Sequence, residues 1–156
     1  MNNQLNNQPN NQLRQVAVAI LYQENKFLMQ LRDDIPDIAW PGYWGLFGGH
    51  IEPGETPHAA VKREIIEEIG YTLPQFSEFG CYSGCFNDDM VERHVFFAPL
   101  FVELNQLILN EGWDMGLLAK EDIKQGKFYS HKAEELRPII PHYQNILLDF
   151  VERFDC

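Results

Sequence analysis

Between Gly49 and Tyr71 the chain reads GHIEPGETPHAAVKREIIEEIGY, and this stretch restricts the fold more than any other. Thr56 is placed to cap a helix, and Pro57 to occupy its first position, where a missing N–H costs nothing. Gly70 follows the last periodic residue, where a left-handed conformation often closes a helix. Between them Val61, Ile65 and Ile69 recur every four residues and form an apolar face. Glu64, Glu67 and Glu68 stand at i, i+3 and i+4, so they share one helix face roughly 100° wide. Taken alone, such a face is an ordinary solvated acidic surface. Three like charges so close also repel, and a divalent cation would relieve that repulsion, because carboxylate oxygens are the preferred ligands of a hard ion such as Mg2+.

The flanking segments predict a mixed domain. Gln15 to Tyr22 is rich in Val and Ile and reads as a buried strand. Gln23-Glu24-Asn25 signals a turn, Lys26 to Arg32 a second strand, and the two together a hairpin. Asp33 to Tyr43 is a loop heavy in Asp and Pro, and Trp44 to Phe47 is a short apolar piece leading into Gly48-Gly49. Phe76 to Ser83 and Glu92 to Leu104 predict longer strands, and Leu117 to Lys124 a short helix. Ala133 to Phe154 carries a helical pattern that Pro138 and Pro141 must break or delay, with Ile146, Leu147, Phe150 and Val151 as its apolar face. Strands followed by helices at intervals indicate an α/β or α+β fold.

A length of 156 residues gives one domain as the prior. We divide the chain into an Asn/Gln-rich tail, residues 1–13, expected to be disordered, and a single domain, residues 14–156. Lys and Arg total 12 against 23 Asp and Glu, a net charge of −11, and there is no basic stripe to neutralise a phosphate backbone. A long nucleic acid is therefore not the expected partner. No apolar run approaches the roughly 20 residues that span a bilayer, and the N-terminus lacks an apolar signal core, so the reading is cytoplasmic, with no membrane partner. Cys81, Cys85 and Cys156 are odd in number and lack CxxC pairing, which argues for reduced thiols rather than disulfides or structural zinc.

Gly49, Glu55, Arg63-Glu64, Glu67-Glu68 and Gly70 stand at the spacing GX5EX7REUXEEXGU, where U is a bulky apolar residue. This resembles the Nudix box. All seven fixed letters match, a coincidence of about one in 10^8 at ordinary residue usage. Tyr71 departs mildly at the final apolar position, where an aliphatic is usual. The resemblance implies an α/β/α sandwich with a mixed central sheet and a box that forms a loop, a helix and a loop. It also implies a Mg2+-dependent hydrolase, with Mn2+ as an alternative ion.

Carried over residue by residue, the resemblance makes Glu67 and Glu68 metal ligands and Glu64 a ligand or the general base. Arg63 would pair with a box carboxylate, Glu55 foremost, and the carbonyl of Gly48 would be a main-chain ligand. Gly49, Glu55 and Gly70 would shape the box. Relatives often recruit one later carboxylate; Glu111 in LNEGWDMG is the candidate, with Asp88, Asp89 and Asp114 as rivals. For substrate binding the candidates are Arg32, which could reach a phosphate or pair with Asp33 or Asp34, and the aromatics Trp40 and Tyr43. Trp44 reads as core, and His94, alternating with Arg93 along a strand, as packed or solvated.

The expected activity is hydrolysis of the diphosphate link in a nucleoside diphosphate joined to another moiety, releasing a mononucleotide. The alternatives are pyrophosphohydrolysis of a nucleoside triphosphate, which Phe47 in place of the Pro common in such relatives argues against, and a nucleotide-sensing module without turnover. An isopentenyl-type diphosphate isomerase of related fold would need a catalytic Cys and a His-rich site, and the five histidines form no cluster in sequence. A homodimer is left open.

Overall fold

The computed structural model describes residues 13–87 and 89–154. Residues 1–12 of the expected tail, Asp88 and Cys156 lie outside these; Leu13, the last residue assigned to that tail, instead opens the first strand.

β1 (Leu13–Gln23) is the axis of the sheet. Its side chains alternate between two cores: Ala17, Ala19 and Leu21 on one face, Val18 and Ile20 on the other. Burial on both sides explains the continuous apolar run. One edge of β1 pairs in parallel with β6 (Asp89–Pro99), from Leu13 opposite Met90 to Tyr22 opposite Pro99. The other edge is shared. Residues Val16 to Ala19 pair with β4 (Phe47–His50), and Tyr22 and Gln23 pair with β2 (Lys26–Leu31) through the expected hairpin. β3 (Trp44–Gly45) and β7 (Asp114–Ala119) flank β2, and β5 (Ser77–Phe86) closes the far edge against β6.

α1 (Pro57–Ile69) covers one face, burying Val61, Ile65 and Ile69 against Phe47 and Phe96. Each such side chain contributes about 1.5–3 kcal/mol by leaving water. α3 (Pro141–Phe154) covers the opposite face with Ile146, Leu147 and Phe150, joined by Ile123 of α2 (Lys120–Gln125). The result is an α/β/α sandwich around a mixed sheet. Among the described residues, no helix is long and apolar enough to cross a membrane.

Three expectations are corrected. Leu117 to Lys124 is not a single helix: Asp114–Ala119 is strand β7, and α2 begins at Lys120, where Asp122 Oδ2 accepts the Ala119 N–H at 2.9 Å. The helical pattern read from Ala133 is delayed, as Pro138 and Pro141 require, but by a strand that the sequence reading did not include. Glu135–Pro138 is β9, paired with β8 (Lys127–Ser130), and the helix waits for Pro141, whose fixed φ suits a first turn. The strand expected through Leu104 ends at Pro99, and Leu104–Gln106 is a short 3-10 turn.

Candidate active site

Local sequence sets the box helix. Thr56 Oγ1 accepts the Ala59 N–H at 3.1 Å at the N-terminus. At the other end Gly70 takes φ +67°, and its N–H reaches the Ile66 carbonyl at 2.9 Å. With the apolar face fixed on the sheet, the glutamates turn toward β4. Glu68 is buried, Glu64 mostly covered, and the Glu67 side chain is 57% exposed.

Arg63 ties the loop to the helix. Its Nε and Nη2 meet the two Glu55 oxygens at 2.8 and 2.9 Å, a bidentate fork. Nη2 also donates to the His50 carbonyl at 3.1 Å, and Nη1 reaches Glu64 Oε1 at 2.9 Å and Glu67 Oε2 at 3.3 Å. The Arg63 hydrogen bonds pull Glu55 down to about 2, helped by the Glu52 N–H.

Glu64 behaves differently. Burial pushes its pKa up against the pull of Arg63, and Glu67 and Glu111 push it further. Glu68 is pushed up to about 8, mainly by burial, while the Gly48 N–H at 3.1 Å on its Oε2 opposes the rise. Glu64 and Glu111 add repulsion. Glu111 reaches this neighbourhood because its loop is sewn onto the end of α1: Ile108 N–H donates to Ile69 O at 3.2 Å, Asn110 N–H to Glu68 O at 2.9 Å, and Asn110 Nδ2 to Glu67 O at 2.9 Å.

These acids line a cleft of about 520 Å³. Gly48, Gly49, Glu64, Glu68 and Glu111 line it together with Arg32, Trp40, Phe86, Arg93, His142 and Tyr143. The remaining candidates lie off the lining. Glu67 faces solvent beside Arg63, Arg63 and Glu55 are engaged with each other, and Gly70 is the helix cap. Tyr43 meets Trp40 edge-on at 5.1 Å and braces it from behind. Arg32 Nε donates to Ala39 O at 2.7 Å and holds the loop in place; Asp34 pairs with Arg137 instead. The rival acids are committed elsewhere: Asp89 pairs with Arg14 at 2.8 Å, and Asp114 accepts from Ser130 Oγ at 2.7 Å. Asp88 lies outside the described residues.

Phe86, Arg93, His142 and Tyr143 were not among the candidates read from sequence. Arg93 is 8% exposed, its charge acts on Tyr143, and it has no ion-pair partner among the described residues. His142 is pushed down to about 4 by burial and then by Arg93, so it is neutral at physiological pH. Trp40 lies 6.3 Å from Phe86 and 6.0 Å from His142, ring to ring, so an aromatic lobe adjoins the cationic one.

The family model described as NUDIX domain matches residues 12–149. The chain belongs to the Nudix family. A Bacillus subtilis (strain 168) protein provisionally named an 8-oxo-dGTP diphosphatase is 34% identical over 83 residues, 53% of this chain and 50% of that protein. The nucleoside triphosphatase NudI of Escherichia coli O1:K1 / APEC is 36% identical over 61 residues, 38% of this chain and 42% of that protein. The match thus spans half or less of these curated relatives. In fold, this Nudix chain superposes on a MutT protein from Methanosarcina mazei Go1 with a TM-score of 0.76 at 19% identity, covering 94% of this chain and 99% of the other.

Proposed function

We propose that the cleft hydrolyses the diphosphate bond of a nucleoside diphosphate linked to a second moiety, with a hard divalent cation, Mg2+ foremost, and releases a mononucleotide. One observation carries the reading: Glu64, Glu68 and Glu111 repel one another in a cleft that arginines and aromatic side chains also line. The donor set fits such an ion, since an uncompensated cluster of carboxylates is what hard cations bind. Glu64, Glu67, Glu68, Glu111 and the Gly48 carbonyl would hold it. When bound, it would neutralise phosphate charge and make a coordinated water more acidic.

The chain's own residues do the rest. Glu68 and Glu64, with proton affinity raised by burial, are suited to take the proton of an attacking water. Arg32 and Arg93 would fix phosphate oxygens by charge-assisted hydrogen bonds, and Trp40 with Phe86 would stack on a base. Arg63 holds Glu64 and the box loop in register.

A nucleoside triphosphate is the second reading, favoured by the names of the curated relatives. Phe47 does not oppose it, because that side chain is fully buried in the core and does not line the cleft. Purified protein with Mg2+ should release a mononucleotide from dinucleotides, nucleotide sugars or triphosphates. Release from the first two groups supports the first reading, and release of pyrophosphate from triphosphates supports the second. Tight nucleotide binding without turnover would replace both with a sensing role.

A further inference from the structure

Cys81, Glu92 and His94 meet on the face of β6 turned away from the cleft. Cys81 of β5 stands directly opposite His94 in the strand register, and Glu92 lies two residues before His94, so all three project to the same side. Arg93, between them, projects into the cleft. One ligand atom from each of the three lies within 4.8 Å of the other two. Among the described residues this is the one trio of His, Cys, Asp or Glu so closely gathered; the cleft carboxylates stand further apart.

Two details of the trio point to an ion rather than to packing. His94 Nε2 is buried and has no hydrogen-bond partner, although Glu92 Oε1 is only 2.8 Å away. A tetrahedral ion with bonds of about 2.0–2.2 Å sets its donors roughly 3.3–3.6 Å apart, so these two atoms need to part by less than about 1 Å to share one. The same Glu92 Oε1 accepts Gln15 Nε2 at 3.3 Å, the kind of outer contact that orients a ligand.

We propose that Cys81, Glu92 and His94 bind a single transition-metal ion of the Zn2+ class, separate from the carboxylate site of the cleft. Sulfur and imidazole select a borderline-soft ion over Mg2+, and three protein ligands leave a fourth position to water. The ion joins β5, the edge strand, to β6 and so reinforces the open side of the sheet.

Co2+ reports on this site alone, because a thiolate ligand gives a near-ultraviolet charge-transfer band that an all-oxygen site cannot produce. The reduced full-length chain, with excess Mg2+ to fill the cleft, is titrated with Co2+. The band should saturate at one equivalent, vanish in Cys81→Ser, persist in Cys85→Ser and Glu68→Gln, and be displaced by Zn2+. Zn2+ should raise Tm in the wild type more than in His94→Gln. Cys81 is exposed, so serine should leave the fold intact, which circular dichroism checks; if it does not, His94→Gln carries the same expectation for the band. No band, or a band unchanged in both variants, overturns the proposal.

Discussion

Glu64 occupies the space that a side chain at residue 49 would need: a Cβ on Gly49 would lie 2.5 Å from the Glu64 carboxyl carbon and 2.6 Å from its Oε1. The glycine is therefore a seat for the carboxylate. Gly49→Ala must push Glu64 aside, and a shift of this order at a reacting group costs about 10²-fold in rate. We expect kcat to fall by about that factor with the circular dichroism spectrum unchanged. Wild-type kcat would show that the position of Glu64 is immaterial.

Arg63→Lys keeps the charge and loses the fork that grips both Glu55 oxygens while reaching Glu64 and Glu67. Changes behind metal ligands typically cost about 10–100-fold in metal affinity or activity. Activity measured across Mg2+ concentrations should show a loss in that range, partly recovered at high Mg2+. Glu55→Gln should move in the same direction, because it removes the other half of the pair.

Burial raises Glu68 to about 8 in the folded chain, against 4.5 ordinarily. Between those values the folded protein keeps a proton that the unfolded chain has lost. Glu68 therefore contributes stability that is complete below about pH 4.5 and is lost as pH rises through about 8. His142 has the opposite sign: lowered to about 4 from 6.5, it contributes stability above 6.5 that disappears as pH falls toward 4. Above pH 6.5 only the Glu68 effect of these two still varies. Urea unfolding of metal-free protein should show a loss of about 1–2 kcal/mol from pH 6.5 to 8, since one proton is worth at most about 1.4 kcal/mol per pH unit. Glu68→Gln should flatten that slope; an equal slope in the variant would remove Glu68 as its cause.

Arg93 brings a buried positive charge to the cleft that the carboxylates line. Arg93→Met keeps much of its bulk and removes the charge. Hydrogen bonds to charged groups are worth about 1.5–3 kcal/mol, so kcat/KM should drop about 10–100-fold on the preferred nucleotide. Trp40→Ala should raise KM more than it lowers kcat. Unchanged kinetics in both variants would place the substrate elsewhere.

The box helix was legible because its cap, its apolar period and its closing glycine lie within one short stretch, from Thr56 to Gly70. The β1–β2 hairpin was legible for the same reason. Arg93 was not, because its place in the cleft depends on the parallel pairing of β6 with β1, with Arg93 opposite Val16, a contact no local pattern encodes. His142 and Tyr143 were hidden by a helical pattern that runs through Pro138, while the chain folds Glu135–Pro138 back onto β8 before the helix starts. Leu117 and Leu118 face opposite sides of β7 because β2 supplies a partner strand, which overrides their helical propensity. The cluster of Cys81 with His94 likewise exists only through cross-strand register.

The central claim is that an ion among the box carboxylates holds the diphosphate for cleavage. The most direct measurement is mononucleotide release from the best substrate of the panel, with and without chelator, in wild type and in Glu68→Gln. The account predicts release that stops with EDTA, returns with added Mg2+, and falls at least about 10²-fold in the variant. Release that continues in EDTA, or at wild-type rate in Glu68→Gln, would contradict it.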